Sequence, residues 1–144
     1  MIDLDGPPEQ VFAAIVDLDE ANFEKLMAEP ASRERIIDAL VTHMASRLRP
    51  AEAGDLDAVI HVKLWDRPGG GYDHRELVIR ERACSVSANP SEEPDLTLKV
   101  RPEDLRRIVS GEAGAKRLAF RGRLRVVGDI RLGMRLTELF DLSR

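Results

Sequence analysis

Three histidines, one cysteine, a few paired carboxylates and a run of glycines are the residues of this 144-residue chain whose chemistry could serve catalysis or ligation. As metal ligands, His43, His61 and His74 lack the short spacings that bring imidazoles to one ion. Solvated or packed histidines account for them: His61 falls by alternation on the wet side of a strand, His43 lies beside Met44 on a helix, and His74 opens a second strand. Cys84 lies in a strand with no adjacent basic residue to favour a thiolate, so an inert core thiol is expected. Standing alone, it supports neither an internal disulfide nor a cysteine-built zinc site. Asp3 with Asp5 and Glu92 with Glu93 lie in terminal or loop segments and read as solvation, not as a general acid and base. Gly69–Gly71 lacks the lysine and spacing of a phosphate loop, and no GxGxxG opens a helix. No catalytic residue, metal or cofactor is expected, and the reading leans away from an enzyme.

Composition sets the frame for the elements that would hold a site. The chain is 43% apolar, enough for one sizeable core in a single domain of ordinary length. Its longest apolar run, Val11 to Val16, is far short of the roughly 20 residues that span a bilayer, and the acidic start lacks the basic segment of a secretion signal. A cytoplasmic location is therefore expected. A net charge of -4 and 4% aromatic residues argue against nucleic acid as a partner. The abundance of arginine over lysine, with many alanines, suggests a bacterial genome rich in GC.

Periodicity divides the chain into helices, then strands, then both. After Pro7 and Pro8, the residues Val11, Phe12, Ile15 and Val16 share a helical face. Asp17 with Glu20 reads as a capping pair opening a second helix that buries Phe23, Leu26 and Met27 and ends at Pro30. From Ser32 to Leu48 an apolar stripe of Ile36, Ile37, Leu40, Val41, Met44 and Leu48 predicts the most secure helix, with Arg33 among the residues placed away from it. The period then changes to two over Val59–Trp65, His74–Arg80, Ala83–Ala88 and Asp95–Val100. Pro102 to Gly111 reads as a helix, Ala113 to Phe120 as a short one, Leu124 to Val126 as a fifth strand, and Ile130 to Phe140 as a closing helix capped by Asp129.

That closing helix is apolar over roughly 220° of its circumference, about twice what a surface helix needs. Either it wedges between sheet and neighbouring helices, or one edge meets the sheet while the other lines a cavity or a partner surface. Charge is also uneven: residues 1–58 carry 5 basic and 13 acidic side chains, and residues 101–144 carry 11 and 6. The two ends could face one another, or the basic end could make a transient contact with anionic lipid headgroups at a membrane surface. The sequence leaves both pairs of alternatives open, and the oligomeric state with them.

The run DLTLKVRPEDLRRIVSG from Asp95 to Gly111, followed by LAFRGRLRVVGDIRLGMRLTELF from Leu118 to Phe140, resembles the sterol carrier protein type 2 lipid-binding domain family. Strand, helix ending in glycine, small-residue helix, glycine, strand, Gly-Asp and closing helix follow in that family's order. The resemblance covers roughly residues 30–140, leaving residues 1–30 as an added helical extension to a domain over 31–144. It implies an α+β fold: a five-stranded, mostly antiparallel sheet with helices packed on one face and a lipid cavity between them. Ile60, Val62, Leu64, Leu98, Val100, Leu124 and Val126 would form the cavity floor, and Ile108, Phe120, Met134, Leu136 and Phe140 its walls.

The implied function is carriage of a sterol, fatty acyl chain or similar lipid. A chain of about 16 methylenes offers ~13 kcal/mol of gross transfer energy against an immobilisation cost on the order of 4 or more, so binding needs no salt bridge. The alternative is a cavity recruited as an enzyme for a polyketide- or polyene-like substrate in bacterial specialised metabolism. A third reading is an accessory domain that binds a protein partner.

Overall fold

Proline sets the start of four helices, where a missing N–H costs nothing because that donor has no intrahelical acceptor. The computed structural model describes residues 2–142. The proline-started helices are α1 (Pro8–Ile15), α3 (Pro30–Ser46), α4 (Pro50–Ala53) and α5 (Pro102–Val109), and the others are α2 (Glu20–Met27), α6 (Ala115–Phe120) and α7 (Ile130–Leu139). The strands are β1 (Ala58–Leu64), β2 (Asp73–Arg80), β3 (Ala83–Ser87), β4 (Leu96–Val100) and β5 (Leu124–Gly128). Pro30 thus opens α3 instead of merely ending α2. The cap of α2 is Asp19, whose carboxylate accepts from Asn22 N at 3.1 Å, and not the expected Asp17. Helix α3 stops at Ser46, because Leu48 leaves the helical path to pair with Phe140.

The sheet runs β3-β2-β1-β4-β5. All its pairs are antiparallel except β1 with β4, which lie parallel at the centre. The register lines Ile60 up with Leu77 and Leu96, Val62 with Leu98, and Leu64 with Val100. Because side chains alternate along a strand, these pairs share one face, and every one of these residues is buried. The apolar stripe of α3 (Ile36, Ile37, Leu40, Val41 and Met44) joins them in one core.

On the opposite face His61 is buried, contrary to the wet position that alternation suggested. The β3–β4 loop folds over it: Glu76 Oε2 accepts from Ser91 N at 3.1 Å and from Glu92 N at 3.0 Å. With Glu76 ionised and His61 neutral, His61 Nε2 donates to that carboxylate at 3.0 Å and His61 Nδ1 accepts from His74 Nε2 at 2.9 Å. Burial alone would raise the Glu76 carboxyl, but these N–H donors outweigh it and hold the group below the usual carboxylate range. The two histidines that looked isolated in sequence are thus neighbours across β1 and β2. His43 stacks on Phe12 with ring centroids 3.7 Å apart, fixing α1 against α3. Cys84 packs against the core, and burial pushes its thiol up to about 12.

Residues 2–30 share the same core, to which Val11, Ile15, Phe23 and Met27 contribute. Arg106 of α5 fastens them: its Nη1 donates to the carbonyls of Ile15 (2.9 Å) and Leu18 (2.7 Å), and its guanidinium lies 4.1 Å from the Phe23 ring centroid. Arg33, assigned by periodicity to the outside of its helix, is in fact buried. It donates to Asp73 Oδ2 at 2.6 Å and to the carbonyls of Trp65 (2.8 Å) and Asp66 (3.3 Å), binding the start of α3 to the end of β1 and the start of β2. A planar fork with five donors serves several acceptors at once, which an ammonium cannot. Arg33→Ala is expected to cost about 3 kcal/mol, as for a buried pair losing one partner, and Arg33→Lys to recover less than half of that. Urea unfolding of both variants checks this, and equal stability of Arg33→Ala and the native chain would refute it.

Candidate functional site

Helix α7 is held at both ends. At its start, Gly128 adopts a φ of +112°, and a Cβ there would fall 2.5 Å from Asp95 O, so only glycine lets the chain turn so close to β4. Asp129 then caps the helix by accepting from Leu132 N at 3.2 Å. One turn on, Gly133 allows close approach to the sheet, since a Cβ would lie 3.1 Å from Val126 Cγ1 and 3.6 Å from Leu96 Cδ1. At its end, Leu48 pairs with Phe140, Arg49 N donates to Leu139 O at 2.7 Å, and Asp141 N donates to Arg47 O at 2.9 Å. The Arg49 side chain adds donations to Thr137 O (3.1 Å) and Glu138 O (3.0 Å), satisfying carbonyls that the helix end leaves free. Arg49 and Arg47 also pair with Asp141, at 3.5 and 2.9 Å.

Between this braced helix, α5 and the far end of the sheet lies a cavity of about 280 Å³. Leu98 and Val100 of β4 and Leu124 of β5 form its floor, and Leu105 and Ile108 of α5 with Leu136 of α7 form its sides. Met44, Phe140 and Leu142 close it further, while Arg49, Thr137 and Asp141 place polar atoms in the lining. Gly111 and Ala113–Ala115 complete the lining, and the cavity adjoins a groove of about 330 Å³ between α6, β5 and α7, with which it shares Ala115, Leu124, Leu136 and Thr137. An apolar chamber with a few polar groups orients an amphipathic guest but offers little to attack one.

Of the residues named from sequence, Leu98, Val100, Ile108, Leu124, Leu136 and Phe140 come together around this cavity. Ile60, Val62 and Leu64 do not line it. Their strand is the central one, and its inner face is buried in the solid part of the core. Val126 and Met134 line the adjoining groove. Phe120 is 94% exposed, because α6 turns Leu118 inward and a residue two positions on lies about 200° around the helix. Sequence reasoning had placed Met44 and Leu105 on buried helix faces without assigning them to a cavity. Arg49, Thr137 and Asp141 carried no sequence signal, since they meet only through pairing between the segments at 47–49 and 139–141.

Residues 37–141 match the sequence model of the SCP-2 sterol transfer family. No curated protein matches the chain. Among solved structures, it is similar to sterol carrier protein 2 like 2 from Aedes aegypti, at 16% identity and a TM-score of 0.58 over 73% of this chain and 96% of that one. It is also similar to Aedes aegypti sterol carrier protein 2 in complex with the C16 fatty acid palmitate, at 18% identity and a TM-score of 0.53 over 73% of this chain and 94% of that one. The inverting sec-alkylsulfatase Pisa1 from Pseudomonas sp. aligns at 17% identity and a TM-score of 0.56 over 68% of this chain, which spans only 15% of that enzyme's length. These likenesses establish the fold.

A void and a packed core answer differently to added volume. Leu98 faces the cavity, whereas Leu96, two residues earlier on the same face, lies against Gly133. Leu98→Phe is expected to change stability by less than about 0.5 kcal/mol or to raise it, while Leu96→Phe costs about 1–3 kcal/mol. Thermal unfolding of the two variants decides, and equal losses would mean that the cavity is closed in solution.

Proposed function

This chain belongs to the SCP-2 sterol transfer family, and from that premise we propose that it binds and carries a hydrophobic small molecule, such as a fatty acyl chain, a sterol or a similar lipid. The observation that carries the reading is the apolar cavity between β4, β5, α5 and α7. The guest's apolar body lies against Leu98, Val100, Leu105, Ile108, Leu124 and Leu136, and its polar end against Arg49, Thr137 and Asp141. Because Asp141 already pairs with Arg49, the lining carries both charges and selects more by shape than by the sign of a headgroup. Residues 1–30, outside the matched range, act as an added helical segment that braces α3 and α5. Transport, not catalysis, is the proposed activity.

Volume limits the guest. With about 30 Å³ for each water-sized group, the cavity accepts on the order of nine methylenes. At ~0.8 kcal/mol each these supply roughly 7 kcal/mol, about half of what a C16 chain offers. A longer chain must pass Leu136 and Thr137 into the adjoining groove, where one side is open to water and each further methylene gains less. Affinity across a series of saturated fatty acids is therefore expected to rise about fourfold per methylene up to roughly C10, then more slowly to C16. Leu98→Trp, which fills the chamber, should abolish the steep part of the series. Calorimetric or fluorescence-displacement titration measures it; a flat series, or one that Leu98→Trp leaves untouched, would remove the cavity as the binding site.

A further inference from the structure

The sheet face opposite the core, the one on which His61 lies, carries three cations in one lateral row. The register sets Lys63 of β1 beside Lys99 of β4, and Lys99 opposite Arg125 of β5. Like charges directly opposite one another on paired strands destabilise a sheet. No carboxylate pairs with any of the three among the described residues. Lys63 finds an aromatic partner instead, its ammonium lying 4.7 Å from the Tyr72 ring centroid. Half-buried Lys99 and exposed Arg125 have neither an ion pair nor a side-chain hydrogen bond among the described residues. The carboxylates around them are engaged elsewhere. Buried Asp104 accepts from Arg123 Nε through both oxygens at 3.1 Å and from Arg107 at 2.8 Å. Glu103 lies 3.7 Å from Arg123 and 4.0 Å from Arg101, and Asp66 pairs with Arg101 at 3.0 Å. Glu76, in the next row of the sheet, is held by His61 and the N–H groups of Ser91 and Glu92.

Lys99 and Arg125, with their paired neighbours Arg101 and Arg123, line a recess of about 480 Å³ whose aromatic wall is Trp65. The Trp65 side is 38% exposed, and Tyr72 braces the indole edge-on with ring centroids 5.3 Å apart. From this combination we infer that the recess binds a ligand joining a phosphate group to a planar ring, as a nucleoside phosphate does. The phosphate sits between Lys99 and Arg125, and the ring stacks on Trp65. Two unneutralised cations at one point match a single dianionic group, which removes their mutual repulsion as it binds. The indole face supplies the stacking surface. A long polyanion fits less well. The flanking cations Arg101 and Arg123 are already neutralised, and the net charge of -4 repels an extended phosphate backbone. Leu98 and Leu124, next in sequence to Lys99 and Arg125, point the other way into the apolar cavity. The two sites therefore lie on opposite faces of the sheet, and the anion site does not rest on the carrier reading.

Trp65 is the chain's single tryptophan, so its emission reads the recess directly. In phosphate-free buffer, adenosine monophosphate should quench that emission saturably. Competition against it should rank adenosine, which lacks the phosphate, and ribose 5-phosphate, which lacks the ring, at least about tenfold weaker. K99Q and R125Q should each weaken binding of the monophosphate about tenfold, and K99R should retain it. Calorimetry, which needs no tryptophan, should show a loss of about tenfold for Trp65→Leu. A second readout needs no ligand: K99Q relieves the row of like charges and should raise the thermal midpoint by about 1–3 °C. A fall in that midpoint would make Lys99 a structural residue and overturn the assignment. No binding of the monophosphate at up to about 5 mM, equal affinity for adenosine, or binding that K99Q and R125Q leave unaltered would also overturn it. So would an oligothymidylate that binds at least about tenfold more tightly than the monophosphate, which would identify a single-stranded nucleic acid as the occupant.

Discussion

The cavity exists because α7 is fastened at its two ends by groups that act on the backbone. Near its start the helix lies against the sheet through Gly133, where a side chain would strike Val126. At its end it is tied not to the sheet but to the segment after α3, through the Leu48–Phe140 pair and the Arg49 donors. Between these anchors the Leu136 side meets open volume above β4 and β5 instead of interdigitating with them. Interiors normally close such gaps, because lost dispersion contacts destabilise the fold. Here the backbone anchors hold the gap open.

The sheet was legible in the sequence because period-two alternation is enforced by the pleat, and the register then gathered Ile60, Leu77, Leu96, Val62 and Leu98 on one face as that pattern required. Polar residues were misplaced where tertiary structure supplied partners that periodicity does not encode. Arg33 is buried because three acceptors from residues 65–73 converge on it, and His61 because a loop from residues 89–92 covers an open face of the sheet. The lining was only half legible for a different reason. A side chain facing a void and one facing a packed neighbour have the same apolar character, so Ile60 and Leu98 look alike in sequence and differ only in what stands opposite. The wide apolar arc of α7 did carry information, since it marks a helix that serves a sheet on one side and something else on the other.

The charge asymmetry between the two ends resolves in two ways. Some partners cross the molecule, as Arg107 does to Glu20 at 3.2 Å, while Arg106 holds the end of α1 and the loop after it through the carbonyls of Ile15 and Leu18. These contacts fix residues 15–20 to α5 and so support the wall of the cavity that α5 provides. The cations of α6, β5 and α7 are mostly left outside this pairing, beside exposed apolar side chains. Both ends thus contribute to the bracing of α5, while most cations of α6, β5 and α7 face solvent.

The most direct measurement of whether lipid enters the gap beneath α7 is a set of intermolecular contacts between a carbon-13-labelled decanoate and the methyl groups of the protein by nuclear magnetic resonance. The account predicts contacts from the chain to Leu98, Leu105, Ile108, Leu124 and Leu136, with none to Ile60 or Leu77 in the solid core. Contacts confined to exposed Ile130 and Met134, or none at saturating decanoate, would contradict it.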